Sequence, residues 1–98
     1  MAQHSDWALV LGASSGFGEA TAIKLAQEGF NICGVHLDRK SAKPHIDGII
    51  EKITNAGRQA LFCNVNASAE EKRQLVLDKL ADRLEEDEQV RVLLHSLA

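Results

Sequence analysis

Apolar residues in this chain follow two alternating rhythms. Four short runs, Trp7–Leu11, Asn31–Leu37, Ala60–Val65 and Val90–Leu94, are apolar at nearly every position, as in parallel strands buried on both faces. Between them, apolar residues recur every three or four positions, as on one face of a helix. The first such segment, Ser15–Glu28, runs through Phe17, Ala20 and Ile23 toward Ala26 and Gln27, and Gly29 follows where a helix ends in a left-handed residue. The second has Pro44 in its first turn, where a missing N–H does no harm, a stripe of Ile46, Ile49, Ile50 and Ile53, and Gly57 as its stop. Ser68-Ala69-Glu70-Glu71 reads as a capping box opening a third helix, with Leu77, Leu80, Ala81 and Leu84 as its stripe. Glu85–Glu88 reads as a solvated acidic turn.

The pattern predicts one α/β unit over residues 1–98, βαβαβαβ, without repeat, linker or low-complexity tract. Right-handed crossovers between parallel strands place them in the order 3-2-1-4. In such sheets ligands settle at the carboxyl ends of the strands where the order reverses, here between strands 1 and 4.

The segment that falls at that crevice is Gly12-Ala13-Ser14-Ser15-Gly16-Phe17-Gly18, leading from the first strand into the first helix. Glycines let a phosphate approach the backbone, and the N–H groups and dipole of the following helix favour its charge. This is the phosphate seat of a partial Rossmann fold. A P-loop would need Lys and Ser or Thr directly after the last glycine, and Glu19 stands there. The spacing is G-x-x-x-G-x-G rather than G-x-G-x-x-G. The alternative is a glycine turn that serves helix–strand packing alone.

Composition narrows the function classes. The chain has 98 residues, a hydrophobic fraction of 45%, a charged fraction of 26% and a net charge of −3, which suits a small globular unit and gives no electrostatic reason for nucleic-acid binding. No apolar run reaches membrane-span length, and Met1–Asp6 lacks the basic start and apolar core of a signal peptide. Cys33 and Cys63 sit inside apolar segments, as expected of buried reduced thiols and a cytoplasmic location. His4, His36, His45 and His95 show no metal-ligand spacing, and no metal is expected.

The glycine segment resembles that of the short-chain dehydrogenases/reductases at every fixed glycine, with the frequent Ala-Ser-Ser insert, and the resemblance extends over essentially the whole chain. It implies that Gly12, Ser14, Ser15, Gly16, Phe17 and Gly18 bind the cofactor phosphates. Asn64-Val65 stands where the family has an Asp-Val pair that contacts adenine; Asn keeps a carbonyl acceptor but loses the charge. A plain turn role for Asn64 is the alternative. At the end of strand 4 the family's Asn-Asn-Ala-Gly is replaced by His95-Ser96-Leu97-Ala98, which looks like the enoyl-acyl-carrier-protein reductase branch and adds Ser96 to the candidate site. That branch carries a more open glycine motif, so the chain mixes features of two branches.

Cofactor choice turns on the end of strand 2. The family's acidic position falls on His36, Asp38 lies two residues on, and Arg39, Lys40 and Lys43 cluster beyond. A carboxylate suits the ribose hydroxyls of NAD, whereas cations suit the 2′-phosphate of NADP. Three cations against one acid predict NADP, with NAD as the alternative and a solvated basic turn as the reading without a ligand. His36 either faces the adenine pocket or caps its strand.

The family's chemistry needs a tyrosine whose pKa is lowered by a lysine, and this sequence contains no tyrosine. In the family both residues lie beyond the position of Ala98. The expectation is an N-terminal cofactor-binding part of an NAD(P)H-dependent oxidoreductase, binding the adenine and pyrophosphate side and inactive alone. A stand-alone nucleotide-binding module and a non-binding fragment stabilised by assembly are the alternatives. Val90, Val92, Leu93, Leu94 and Leu97 would lie on an uncovered edge strand, which predicts self-association through that edge.

Overall fold

The computed structural model describes residues 6–96, and within them four strands form one parallel sheet in the order β3-β2-β1-β4. The chain runs β1 (Trp7–Leu11), α1 (Gly16–Gln27), β2 (Asn31–His36), a 3-10 turn (Lys40–Ala42), α2 (Lys43–Asn55), β3 (Ala60–Asn64), α3 (Glu70–Arg83) and β4 (Val90–His95). The predicted class, element order and strand order all hold.

Strand alternation divides the core in two. Ala8, Val10 and Ile32 face α1 and α2, meeting Ala22 and Ala26 of the first and Ile46, Ile49 and Ile53 of the second. Trp7, Cys33, Val35 and Cys63 face the other way, against Val76 and Leu80 of α3. β2 is buried at all six positions, as a central strand covered on both sides must be. Gly29 and Gly57 end the first two helices with φ of +108° and +83°, the left-handed stops expected of them.

Helix faces differ from their predicted stripes. In α1 the buried positions are Gly18, Ala22 and Ala26, while Phe17 is 68% exposed and Ala20 and Gln27 face solvent. The close approach of Gly18 to the glycine turn sets this rotation, and only small residues fit beneath it. In α3 the buried pair is Val76 and Leu80; Leu77 and Ala81 face outward, and Leu84 packs at the margin. Among the described residues one helix alone covers that side, so the i, i+4 line pressed on the sheet is narrow.

The capping box does not form. Ala69 is the N-cap of α3 without a side-chain cap bond, because the Ser68 hydroxyl and N–H both donate to Asn66 Oδ1, at 2.7 and 3.0 Å. The acidic turn is more than solvated, since Glu88 accepts from Trp7 Nε1 at 3.1 Å and from the Glu85 N–H at 3.0 Å. Leu37 and Val65 lie just past their strands, and β4 runs one residue further than predicted.

Both cysteines are free and buried. Burial, with Cys63 nearby, pushes the Cys33 thiol up to about 12, and burial also raises Cys63. Neither is a ready nucleophile.

The α3 orientation has a direct test. Leu80→Ala, at a residue 2% exposed, should cost about 2–5 kcal/mol in urea unfolding. Leu77→Ala, at a residue 48% exposed, should cost less than about 1 kcal/mol. Equal losses would refute this facing.

Candidate functional site at the carboxyl end of the sheet

β1 is followed by Gly12, whose φ of +90° turns the chain in a way that favours glycine. The Gly12 and Ala13 N–H groups both donate to the Val35 carbonyl, at 2.8 and 3.0 Å, which ties the turn to β2. Ser15 caps α1: its hydroxyl accepts from the Gly18 N–H at 3.2 Å and donates to the Gly12 carbonyl at 2.8 Å. Gly18 is required by the protein itself, because a Cβ there would run into the Gly12 carbonyl oxygen.

Gly16 is different. A Cβ at this position would meet no protein atom within 4 Å, and its φ is not left-handed. Nothing in the fold asks for glycine there. The open ground lies in the first turn of α1, where N–H groups lack helical partners and the helix dipole is positive. The Ser96 hydroxyl lies 3.5 Å from that of Ser15, and the Ser96 N–H donates to the Leu11 carbonyl at 2.8 Å, so the end of β4 closes on the turn.

A second group forms at the ends of β2 and β3. His36, Asp38, Arg39, Lys40 and Asn64 line one cavity of about 410 Å³, with Phe62 on its wall. The His36 ring is buried, 6.0 Å from the Phe62 ring, and its Nδ1 lies 3.1 Å from Asp38 Oδ2. A hydrogen bond from the Ser14 hydroxyl, aided by His36, holds the Asp38 carboxyl below its usual range. Asn64 bonds the Asp38 backbone both ways, accepting from its N–H at 2.9 Å and donating to its carbonyl at 3.0 Å. The Val65 N–H donates to the His36 carbonyl at 2.8 Å.

The cations divide by partner. Lys43 pairs with Asp47 at 2.8 Å, one helical turn away. Among the described residues, the Arg39 and Lys40 side chains have no hydrogen bond or ion pair. A cavity lined by unpaired cations, with the Phe62 and His36 rings on its wall, can hold an anionic, partly aromatic ligand.

All thirteen candidate residues thus lie at one end of the sheet, in two groups. The glycine turn with Phe17 and Ser96 forms one, and the β2–β3 cavity with Val65 beside it forms the other. Ser14 joins them through Asp38. His4, Leu97 and Ala98 lie outside the described residues. His45 bonds Glu19 at 2.8 Å, and no metal-binding group occurs among the described residues. Two residues escaped the sequence reading. A Cβ at Gly34 would sit 2.7 Å from the Phe62 ring and 2.9 Å from Ala13, so this glycine makes room for the cavity wall. The available signal was strand period, which puts Phe62 on the same face as Asn64.

Residues 6–96 match the family model described as short chain dehydrogenase. The chain belongs to this family. It is 30% identical over 91 residues to a very-long-chain 3-oxoacyl-CoA reductase of Coccidioides immitis (strain RS), covering 93% of this chain and 25% of that protein. The chain therefore spans about a quarter of the length of this curated relative. Among solved structures, a short-chain dehydrogenase/reductase of Burkholderia xenovorans has the same fold, with a TM-score of 0.83, 21% identity and coverage of 97% of this chain and 37% of that one. An alcohol dehydrogenase of Thermococcus sibiricus, complexed with 5-hydroxy-NADP, matches with a TM-score of 0.75, 22% identity and coverage of 92% and 36%.

Two measurements follow from the site. Gly18→Ala should lower unfolding stability by more than about 1 kcal/mol, whereas Gly16→Ala should leave it within about 0.5 kcal/mol; a comparable loss at both would refute the distinction. Asp38 has a depressed folded pKa, so its contribution is present above the ordinary carboxylate range and fades as pH falls through that range to the folded value. Native protein and Asp38→Asn should therefore converge in stability as pH drops toward that value. A constant difference would contradict the Ser14 and His36 bonds.

Proposed function

We propose that this chain is the adenine- and pyrophosphate-binding part of an NADP-dependent reductase of the short-chain dehydrogenase family. The observation that carries the reading is Gly16, a glycine that packing does not require, at a helix start where an anion is favoured. Gly12, Ser14, Ser15, Phe17 and Gly18 would surround the pyrophosphate with Ser96 opposite. His36, Asp38, Asn64 and Val65 would take the adenosine. Arg39 and Lys40 favour NADP, because a 2′-phosphate would pair cations that otherwise lack partners. Solved relatives hold cofactors of both kinds, so these two cations decide the preference.

The cofactor supplies a hydride when bound, and this chain's residues hold and orient it. With no tyrosine to deliver a proton, the chain alone should bind without turnover. For the whole protein we infer an acyl thioester substrate. The His95-Ser96-Leu97-Ala98 resemblance favours enoyl reduction, whereas the Coccidioides relative favours 3-oxoacyl reduction. NADPH oxidation by the source protein with crotonyl or acetoacetyl thioester separates them. No helix among the described residues is long and apolar enough to cross a membrane, and the free thiols suit the reducing cytoplasm. We also infer self-association through β4, which among the described residues pairs only with β1 and exposes 66% of Leu93.

In titration calorimetry NADPH should bind at least about tenfold more tightly than NADH, and the double change Arg39→Glu, Lys40→Glu should erase the preference. Gly16→Ala should weaken both cofactors. Absence of binding at millimolar NADPH would overturn the proposal. Light scattering at high concentration should show dimers or larger species, and a monomer would remove the edge-pairing inference.

A further inference from the structure

The β2–β3 ladder stops at the β2–β3 cavity, one rung short of the charged segment that lines it. His36 pairs with Asn64, and the His36 carbonyl takes the last main-chain bond, from the Val65 N–H at 2.8 Å. Continued at the same register, the ladder would join Asp38 to the main chain of Val65 and Ala67. It does not continue, because the chain bends at Val65 and leaves for α3. The Asp38 N–H and carbonyl therefore have no main-chain partner among the described residues. Both go instead to one side chain. Asn64 Oδ1 accepts from the Asp38 N–H at 2.9 Å, and Asn64 Nδ2 donates to the Asp38 carbonyl at 3.0 Å.

A side-chain amide offers an acceptor and a donor, as a peptide group does, so it can supply both halves of the missing rung. A carboxylate of the same shape supplies only the acceptor and sets its second oxygen against the Asp38 carbonyl. The Asp38 carboxylate is held separately, by His36 and Ser14. Main chain and side chain of this one residue are thus fixed by different groups. Arg39 and Lys40 follow it directly and line the same cavity.

We propose that Asn64 is a positioning residue: its amide completes the β2–β3 ladder from the side and holds the 38–40 segment in its binding geometry, without reading the base. This rests on the cavity being the adenosine site, in which Asn64 then shares through Asp38. The gain is pre-organisation, since a segment already held costs the ligand less ordering on binding. The amide is also specific to the task. An isosteric carboxylate would loosen the segment although it is the better acceptor for an amino group.

Titration calorimetry with NADPH and with its 6-oxo analogue, reduced nicotinamide hypoxanthine dinucleotide phosphate, separates positioning from base reading. Asn64→Ala and Asn64→Asp should each weaken both ligands at least about fivefold, by factors that agree within about twofold. Recognition of the adenine amino group predicts another pattern: Asn64→Ala loses affinity for NADPH alone, and Asn64→Asp binds it more tightly. That pattern, or unchanged affinity in both variants, would overturn the proposal while leaving the cofactor site standing. Failure of the native protein to bind either ligand at millimolar concentration would instead overturn the site. Amide exchange by NMR in the free protein keeps the clamp testable should a variant fail to fold. The native Asp38 amide should exchange at least about tenfold more slowly than that of Arg39, which has no partner among the described residues. In Asn64→Ala the two should exchange alike while the Val65 amide is unchanged, which general loosening of the strands would not produce. Equal rates at Asp38 and Arg39 in the native protein would refute the clamp.

Discussion

The contact between the Gly18 backbone and the Gly12 carbonyl, clamped by the Ser15 hydroxyl, fixes the geometry on which the rest depends. It brings the start of α1 onto the end of β1 without a side chain between them. That sets the rotation of the helix, which then presses Ala22 and Ala26 against the sheet and turns Phe17 outward. It also aims the first-turn N–H groups over Gly16. Packing and binding are two uses of the same close approach, and the three glycines divide the work. Gly12 bends, Gly18 yields space to the backbone, and Gly16 leaves space for something else.

The adenosine side is organised by short polar links rather than by core packing. Ser14, Asp38, His36 and Asn64 come from the glycine turn, a loop and two strand ends, and each is tied to the next. These links commit Asp38 to its neighbours, and the other acidic residue of the cavity lining, Asp47, pairs with Lys43. Among the described residues Arg39 and Lys40 are the cations of this cavity left without a partner, so three cations stand against two acids there. A net charge of −3 on the chain conceals this local excess.

Much of this could be read from the chain because strands buried on both faces leave no ambiguity of period. The sheet order followed from crossover handedness, and the glycine spacing located the turn. Helix faces were less legible: in α1 the predicted Ile23 and Ala26 do meet the core, but apolar spacing admits Phe17 and Ala20 as readily as Ala22. Only the contact at Gly18 chooses between them, and it is made with a residue outside the helix. The apparent capping box failed for a similar reason: Asn66, two residues before Ser68, captured the serine first. The room that Gly34 leaves for the Phe62 ring depends on pairing between β2 and β3, which neither segment reveals alone.

Trp7 shows how the fold is closed in time as well as in space. Its N–H donates to the Gln89 carbonyl and its indole to Glu88, some 81 residues away. β1 lies inside the sheet, between β2 and β4, so one of its two edges is paired only when β4 is in place. Loop closure over that span is slow to be rewarded by contacts. The wall that β4 gives the glycine turn is therefore won by closure across almost the whole described span, not by contacts between neighbouring segments.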